Sequence, residues 1–390
     1  MKFFFRVIVI GATVFFCCGC AMGGSGSREN ASAGGAGDLE GQASGHTWQN
    51  AAGMQNDTAA GQDRETARQY VDTAMGTVIQ QTVYASEDAA SDFFERSKAL
   101  LTGLEQEELS WRLDTSQVWR VNAAAGSEEG CGVSEELAAL LQECLELYGR
   151  SGGAFDITLG PLTRLWDIDK WAAGGADDEE GFRPPSAEEL EDALRLCGSD
   201  RVRIVSPSSE GEETKIFLPE GMQLDLGAVG KGLALSRIGS MLEEGEGISG
   251  AVISLGGSIL TFGGKPDGSS WKVGIVNPFD TSSNVGILSL EGQWCVSTSG
   301  DYERYVEADG VRYHHILDPA TGYPAVSKVR GVTVLAKDGL LSDGLSTACF
   351  LLGTDRGMKL AEEYDVEVLF VMSDGSIVMS EGMEPYFTKL

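Results

Sequence analysis

The chain has 390 residues, with 29 Lys and Arg against 59 Asp and Glu, and a formal charge of −30. Phosphate backbones are held by clustered cations, so this balance excludes a nucleic-acid binder; any polyanionic ligand must rely on local positive charge, helix N-termini or a metal. The 42% hydrophobic content is that of an ordinary globular protein.

In chain order, Lys2 and Arg6 precede an apolar run, Val7 to Cys18, too short to cross a bilayer as a helix. It ends in Cys17-Cys18-Gly19-Cys20, which resembles a bacterial lipoprotein signal with Cys17 where Leu is usual. Cys20 is the expected lipidated residue, and the expected location is the extracytoplasmic face of the cell membrane, held by that lipid. Loss of residues 1–19 removes Lys2 and Arg6 and no acid, taking the charge from −30 to −32. Residues 20–69 are rich in Gly, Ala, Ser, Asn and Gln. They cannot bury enough apolar area to offset chain entropy and read as a flexible tether.

Residues 70–390 read as one domain. Tyr70–Ala85 alternates as a strand, and Ser86 opens a helix with Glu87 and Asp88 in its first turn. Ser134 caps a second helix whose stripe is Leu137, Leu140, Leu141, Cys144, Leu145 and Tyr148. The acidic stretch Asp167–Pro185 reads as a surface loop, and Ser186 with Glu189 forms a capping box for a third helix ending near Gly198. Beyond residue 200 the pattern is β. Its segments are Arg201–Val205, Lys215–Leu218, Met222–Leu226, Ala251–Phe262, Trp271–Val276, Val285–Leu290, Tyr302–Val306, Tyr313–Leu317, Val329–Ala336 and Val366–Met372. Ser376–Met379 follows through a Ser-Asp-Gly hairpin signal. Helices interrupt at Lys231 to about Leu242, and at Ser342 to about Leu352 with a shorter one near Asp355–Tyr364. Consecutive strands with grouped helices predict an α+β fold with a largely antiparallel sheet. Five cysteines follow Cys20, scattered and without Cys-x-x-Cys spacing, and read as reduced small hydrophobes rather than a disulfide or zinc framework.

Four segments offer chemistry. Asp343 and Thr347 stand four apart on one helix face, a carboxylate and a hydroxyl that suit Mg²⁺, although Ser342 and Asp343 could equally cap that helix. Asp225-Leu226-Gly227-Ala228-Val229-Gly230-Lys231-Gly232 joins a β-run to a helix start that favours phosphate, or is simply a junction. His314-His315 precedes the stiff turn Asp318-Pro319-Ala320-Thr321-Gly322, where one histidine could transfer protons. Ala154-Phe155-Asp156 feeds a buried strand, or Phe155 and Trp166 flank a planar ring while Asp156 accepts a hydrogen bond.

Together these segments resemble the ApbE-type FAD:protein FMN transferases over about residues 70–385. Further matching signatures are Met75-Gly76-Thr77, Ser116–Asn122, Leu255-Gly256-Gly257, Thr298-Ser299-Gly300-Asp301-Tyr302 and Ser346-Thr347-Ala348. The resemblance implies Mg²⁺-dependent transfer of FMN from FAD to a threonine of an exported or membrane-bound acceptor, such as an electron-transfer subunit, releasing AMP. It implies metal ligands at Asp343, Thr347 and the Ala228 carbonyl. FAD contacts are implied at Met75, Ala154, Phe155, Asp156, Asp225, Lys231, His315 and Ile316. Ser110-Trp111-Arg112 departs from the family pattern, which has Tyr where Arg112 stands. His315 is the candidate base, its neighbour His314 is expected to tolerate change, and Asp343→Ala is expected to abolish transfer with the fold intact. Two other activities compete: a metal-dependent FAD pyrophosphatase using water, and a non-enzymatic flavin-binding lipoprotein.

Overall fold

The computed structural model describes residues 66–174, 181–207, 209, 211 and 213–390. Cys20, the signal and most of the tether lie outside these residues. Thr66 to Gln69, assigned to the tether by composition, instead open strand β1 (Thr66–Ala74). The Tyr70–Ala85 strand is in fact a hairpin of β1 with β2 (Thr77–Ala85), broken at Met75-Gly76 where both residues have positive φ, 53° and 70°. A two-residue loop of that hand matches the twist of the paired strands.

Ser86 caps α1 (Glu87–Gly103), which runs into a π-helical turn at Leu104–Leu109, followed by α2 (Gln117–Ala123) and β3 (Cys131–Val133). Ser134 accepts the Leu137 N–H at 3.2 Å and starts α3 (Glu135–Ser151), whose apolar stripe is buried as its spacing requires. The strand expected after Ala154 is absent. Asp156 accepts the Thr158 N–H and hydroxyl at 2.7 and 2.6 Å, and the chain turns into α4 (Gly160–Trp166) with Pro161 in its first turn. The expected Asp167–Pro185 loop contains α5 (Ile168–Ala172), and the capping box starts α6 (Ala187–Leu194).

Next come β4 (Arg203–Val205), β5 (Thr214–Phe217), α7 (Gly230–Glu244), β6 (Ile248–Leu255), β7 (Ser258–Gly263), β8 (Trp271–Asn277), β9 (Asp280–Leu290) and β10 (Trp294–Gly300). The chain closes with β11 (Tyr305–Ala308), β12 (Val311–His314), β13 (Val329–Ala336), α8 (Gly339–Glu363), β14 (Glu367–Met372), β15 (Ile377–Met379) and β16 (Phe387–Lys389). Helix α8 kinks at Gly353, φ 71°, where two shorter helices were expected.

Eight strands form one sheet in the order β1-β2-β6-β7-β10-β13-β14-β15, with every ladder antiparallel among the described residues. Strand alternation divides its side chains between two cores. Ala251, Ile253, Val332 and Val334 pack under α1, α3, α7 and α8, while Val252, Val296 and Leu335 pack against Trp271, Val273 and Leu288 of the β8–β9 hairpin. All five described cysteines are free thiols; burial pushes Cys144, Cys295 and Cys349 up to about 12, so they act as small hydrophobes.

Candidate active site

A cleft of about 850 Å³ opens where the β1–β2 turn, the α3–α4 connection, the α7 N-terminus, α8 and the β12 end converge. Its walls contain every candidate metal, FAD and proton-transfer residue named from the sequence, from Met75 to Thr347.

Helix α8 carries Asp343 and Thr347. Asp338, not Ser342 or Asp343, caps this helix by accepting the Leu341 N–H at 2.8 Å, so the capping alternative is wrong. Asp343 is 4% exposed. Its Oδ2 accepts the Gly232 N–H at 2.9 Å and lies 3.7 Å from Lys231 Nζ, while Oδ1 accepts the Ser258 hydroxyl at 3.2 Å. The contact needs glycine at 232, because a Cβ there would sit 2.1 Å from the Gly339 carbonyl and 2.6 Å from Asp343 Cβ. Thr347 Oγ1 is 3.1 Å from Ser299 Oγ. Val229 at the start of α7 offers no side-chain cap, so the Asp343 carboxylate is what meets the first turn of that helix; Asp225 Oδ1 accepts the Gly227 N–H at 2.9 Å, shaping the loop that brings the half-buried Ala228 to the cleft. A carboxylate, a hydroxyl and a carbonyl are hard oxygen donors. Such a set fits Mg²⁺, and among the described residues no three His, Cys, Asp or Glu are gathered as a metal-binding group.

Met75 holds a left-handed backbone unusual for its side chain, and its N–H donates to Glu105 Oε2 at 3.0 Å. Phe155 and Trp166 are each 1% exposed. Both side chains already have packing partners: Phe155 belongs to the core, and Trp166 donates its indole N–H to the Gly322 carbonyl at 2.7 Å and packs against Tyr313 and Tyr323. Asp156 Oδ1 also accepts the Ser199 hydroxyl at 2.6 Å, so this oxygen holds the loop together. Ile316 is buried, and its N–H donates to His314 Nδ1 at 3.3 Å.

The two histidines have opposite fates. His315 reaches the cleft, and its Nδ1 lies 3.2 Å from the Arg304 carbonyl. A carbonyl only accepts, so Nδ1 carries the proton and Nε2 keeps its lone pair. Burial first, then Arg304 and His314, hold the ring well below its usual pKa, so it is neutral at physiological pH. His314 is 5% exposed, donates from Nε2 to the Ala325 carbonyl at 3.0 Å and meets Phe350 edge-on. It cannot tolerate change as the strand alternation suggested, because substitution orphans buried backbone groups.

Burial pushes His314 down to about 4. A group depressed from its unfolded value near 6.5 contributes stability that is complete above that value and is lost as pH falls toward 4. The expected result is a loss on the order of 3 kcal/mol across this window. Thermal midpoints at pH 7 and 5 check it: His314→Asn should start lower and fall less than wild type, and parallel falls would refute the assignment.

The partners of Trp111 and the roles of Asp169 and Glu303 escaped the sequence reading, because remote parts of the chain set them. Trp111 meets the Arg112 and Arg164 guanidinium groups, 3.8 and 4.7 Å from its ring centroid. Asp169 on α5 bridges Arg112 and Arg304 at 3.2 and 2.7 Å, gathering cations at the cleft of an acidic protein. Glu303 lines the cleft with its Oε1 against Gly257.

Comparison with known proteins agrees with this site. The sequence model of the ApbE family matches residues 75–370. The FAD:protein FMN transferase of Treponema pallidum is 34% identical over 334 residues, covering 82% of this chain and 89% of the relative. That of Vibrio cholerae is 32% identical over 302 residues, covering 75% and 86%. The crystal structure of the ApbE protein from Thermotoga maritima superposes with a TM-score of 0.71 at 30% identity, covering 82% of this chain and 99% of that one. The apo flavinyl transferase ApbE of Pseudomonas stutzeri gives 0.68 at 30% identity, covering 83% and 98%. With the family's model spanning most of the chain, its fold matched in solved structures and its motifs gathered in one cleft, this chain belongs to the ApbE family.

Proposed function

We propose that this chain transfers FMN from FAD to a threonine hydroxyl of a protein acceptor, with Mg²⁺, releasing AMP. The observation that carries this reading is the convergence of Asp343, Thr347, Ala228, Lys231 and His315 in one cleft large enough for a dinucleotide. Bound Mg²⁺, held by Asp343, Thr347 and the Ala228 carbonyl, would neutralise charge on the pyrophosphate. Lys231, in the first turn of α7, supplies positive charge from the protein itself. Met75, Ala154, Phe155, Asp156, Asp225 and Ile316 shape the FAD cavity, several through main chain because their side chains are buried or already bonded. His315 Nε2 takes the proton of the incoming hydroxyl.

Incubation with FAD, Mg²⁺ and exported or membrane proteins, followed by mass spectrometry, tests the reading. FMN ester-linked to protein threonine is expected. Free FMN with AMP would instead make the chain a pyrophosphatase, and unchanged FAD would leave a flavin-binding lipoprotein.

The location proposed is the extracytoplasmic membrane face, through lipid on Cys20, with the acceptor an exported or membrane-bound protein such as an electron-transfer subunit. Cys20→Ser should move the protein from the membrane to the soluble fraction. Retention of that variant on membranes would remove the lipid assignment.

A further inference from the structure

Glu303 is a carboxylate without work in the fold. It projects from the β10–β11 connection into the cleft, and among the described residues no hydrogen bond or ion pair reaches its side chain. Its Oε1 would stand 2.9 Å from a Cβ at residue 257, so the bare Gly256-Gly257 turn leaves the room it occupies. A lone carboxylate beside a phosphate site opposes substrate charge, so its presence calls for a chemical use.

The next residue supplies the link. The Arg304 carbonyl accepts both the His315 N–H, at 3.1 Å, and the ring Nδ1–H, so imidazole and carboxylate are tied to one stretch of backbone. When His315 accepts a proton it becomes an imidazolium in a buried place already facing Arg304 and Lys231, and the same causes that hold it neutral make that charge short-lived. The proton must move on. The carboxylate of Asp343 is occupied by Gly232, Ser258 and Lys231, and that of Asp169 by two arginines.

We infer that Glu303 is the onward acceptor of the proton that His315 takes from the incoming hydroxyl. This rests on the FMN-transfer reading. The threonine oxygen bonds to the FMN phosphorus, and the bond from that phosphorus to the bridging oxygen breaks. AMP leaves with the bridging oxygen and its electron pair, and the hydroxyl proton passes to His315 Nε2 and then to Glu303. The charged groups facing Glu303 are Lys231 of α7, Asp343 of α8 and Arg304 beside it. Burial outweighs the two cations and pushes Glu303 up to about 7, which places its ionisation in the working range.

The test is single-turnover FMN transfer from saturating FAD and Mg²⁺ to the acceptor identified by mass spectrometry, across pH 5.5 to 8.5, roughly the range in which such a group titrates. Wild type should lose rate as pH falls through about 7, because the carboxylate must be ionised. Glu303→Gln should be slower by about 10²-fold and lose that limb, with FAD affinity by fluorescence quenching changed less than about threefold. Glu303→Asp should keep the limb and recover most of the rate. Unchanged rate and pH profile in Glu303→Gln overturns the inference, as does an equal loss of FAD affinity and rate, which would make Glu303 a ligand contact. Wild type that forms no protein-bound FMN overturns the transfer reading instead.

Discussion

Asp343→Asn should lower single-turnover FMN transfer by about 10³-fold, the scale on which one electrostatic partner of a phosphoryl transition state acts. The substitution removes the negative charge of the proposed metal ligand while preserving its shape. The amide oxygen can still accept the Gly232 N–H, and the Ser258 hydroxyl can reverse to accept from the new NH₂. Fold and thermal midpoint should therefore stay near wild type. Asp343→Ala is a different experiment. The sequence suggested a fold-neutral change, but a residue 4% exposed with three partners is also structural. Alanine leaves the Gly232 N–H buried and unpaired, about 1–3 kcal/mol, and leaves Lys231 without its carboxylate. Thr347→Val should be milder than either in rate, since it removes a neutral ligand and one bond to Ser299. Wild-type turnover by Asp343→Asn at ordinary Mg²⁺ would dismiss the metal assignment.

His315→Ala should cut transfer by about 10²–10⁴ while keeping FAD affinity within about tenfold, because a base acts on the incoming hydroxyl and not on ground-state FAD. Its ring is oriented by the Arg304 carbonyl and held neutral, so wild type should show no acid limb from this residue near pH 6.5. Lys231→Ala should weaken FAD binding as well as rate, since the ammonium meets phosphate charge already present in the substrate. Affinity by flavin fluorescence quenching beside single-turnover rates separates the two. Proportional loss of binding and rate in His315→Ala would place the base elsewhere.

Local chemistry was legible where it completes itself within a few residues. Ser86, Ser134 and the Ser186–Glu189 box each satisfy N–H groups of their own helix, so those starts fell where the sequence placed them. The α+β class and antiparallel sheet followed from alternation over long β-patterned segments. The same alternation misread Met222–Leu226. Asn122, 102 residues away, donates to the Leu224 carbonyl at 2.9 Å and accepts its N–H at 2.6 Å. On one edge that distant side chain takes the bonds a strand would have made; on the other, only the short Ile157–Gly160 stretch pairs with the segment, through Gly160 N–H to Gln223 and Asp225 N–H to Ile157, so no ladder forms.

The candidate ligands could be named from the sequence because Asp343 and Thr347 share a helix face, and because the glycine-rich turn before Lys231 and the turn after His315 are stiff, motif-bearing stretches. Which histidine faces the cleft was settled by β12 ending on Ala325 and Phe350, which engulf His314. No pattern marks Asp169 or Glu303, and Ser110-Trp111-Arg112 stood out only as a departure from the family pattern. They meet only because α5, the loop after the π-helical turn and the β10–β11 connection close around one cleft. The sequence by itself determined the elements, the charge and the ligand types, since these depend on near neighbours. Tertiary structure alone decided the burial of Asp343, the tautomer of His315 and the freedom of Glu303, since each is set by atoms from remote parts of the chain.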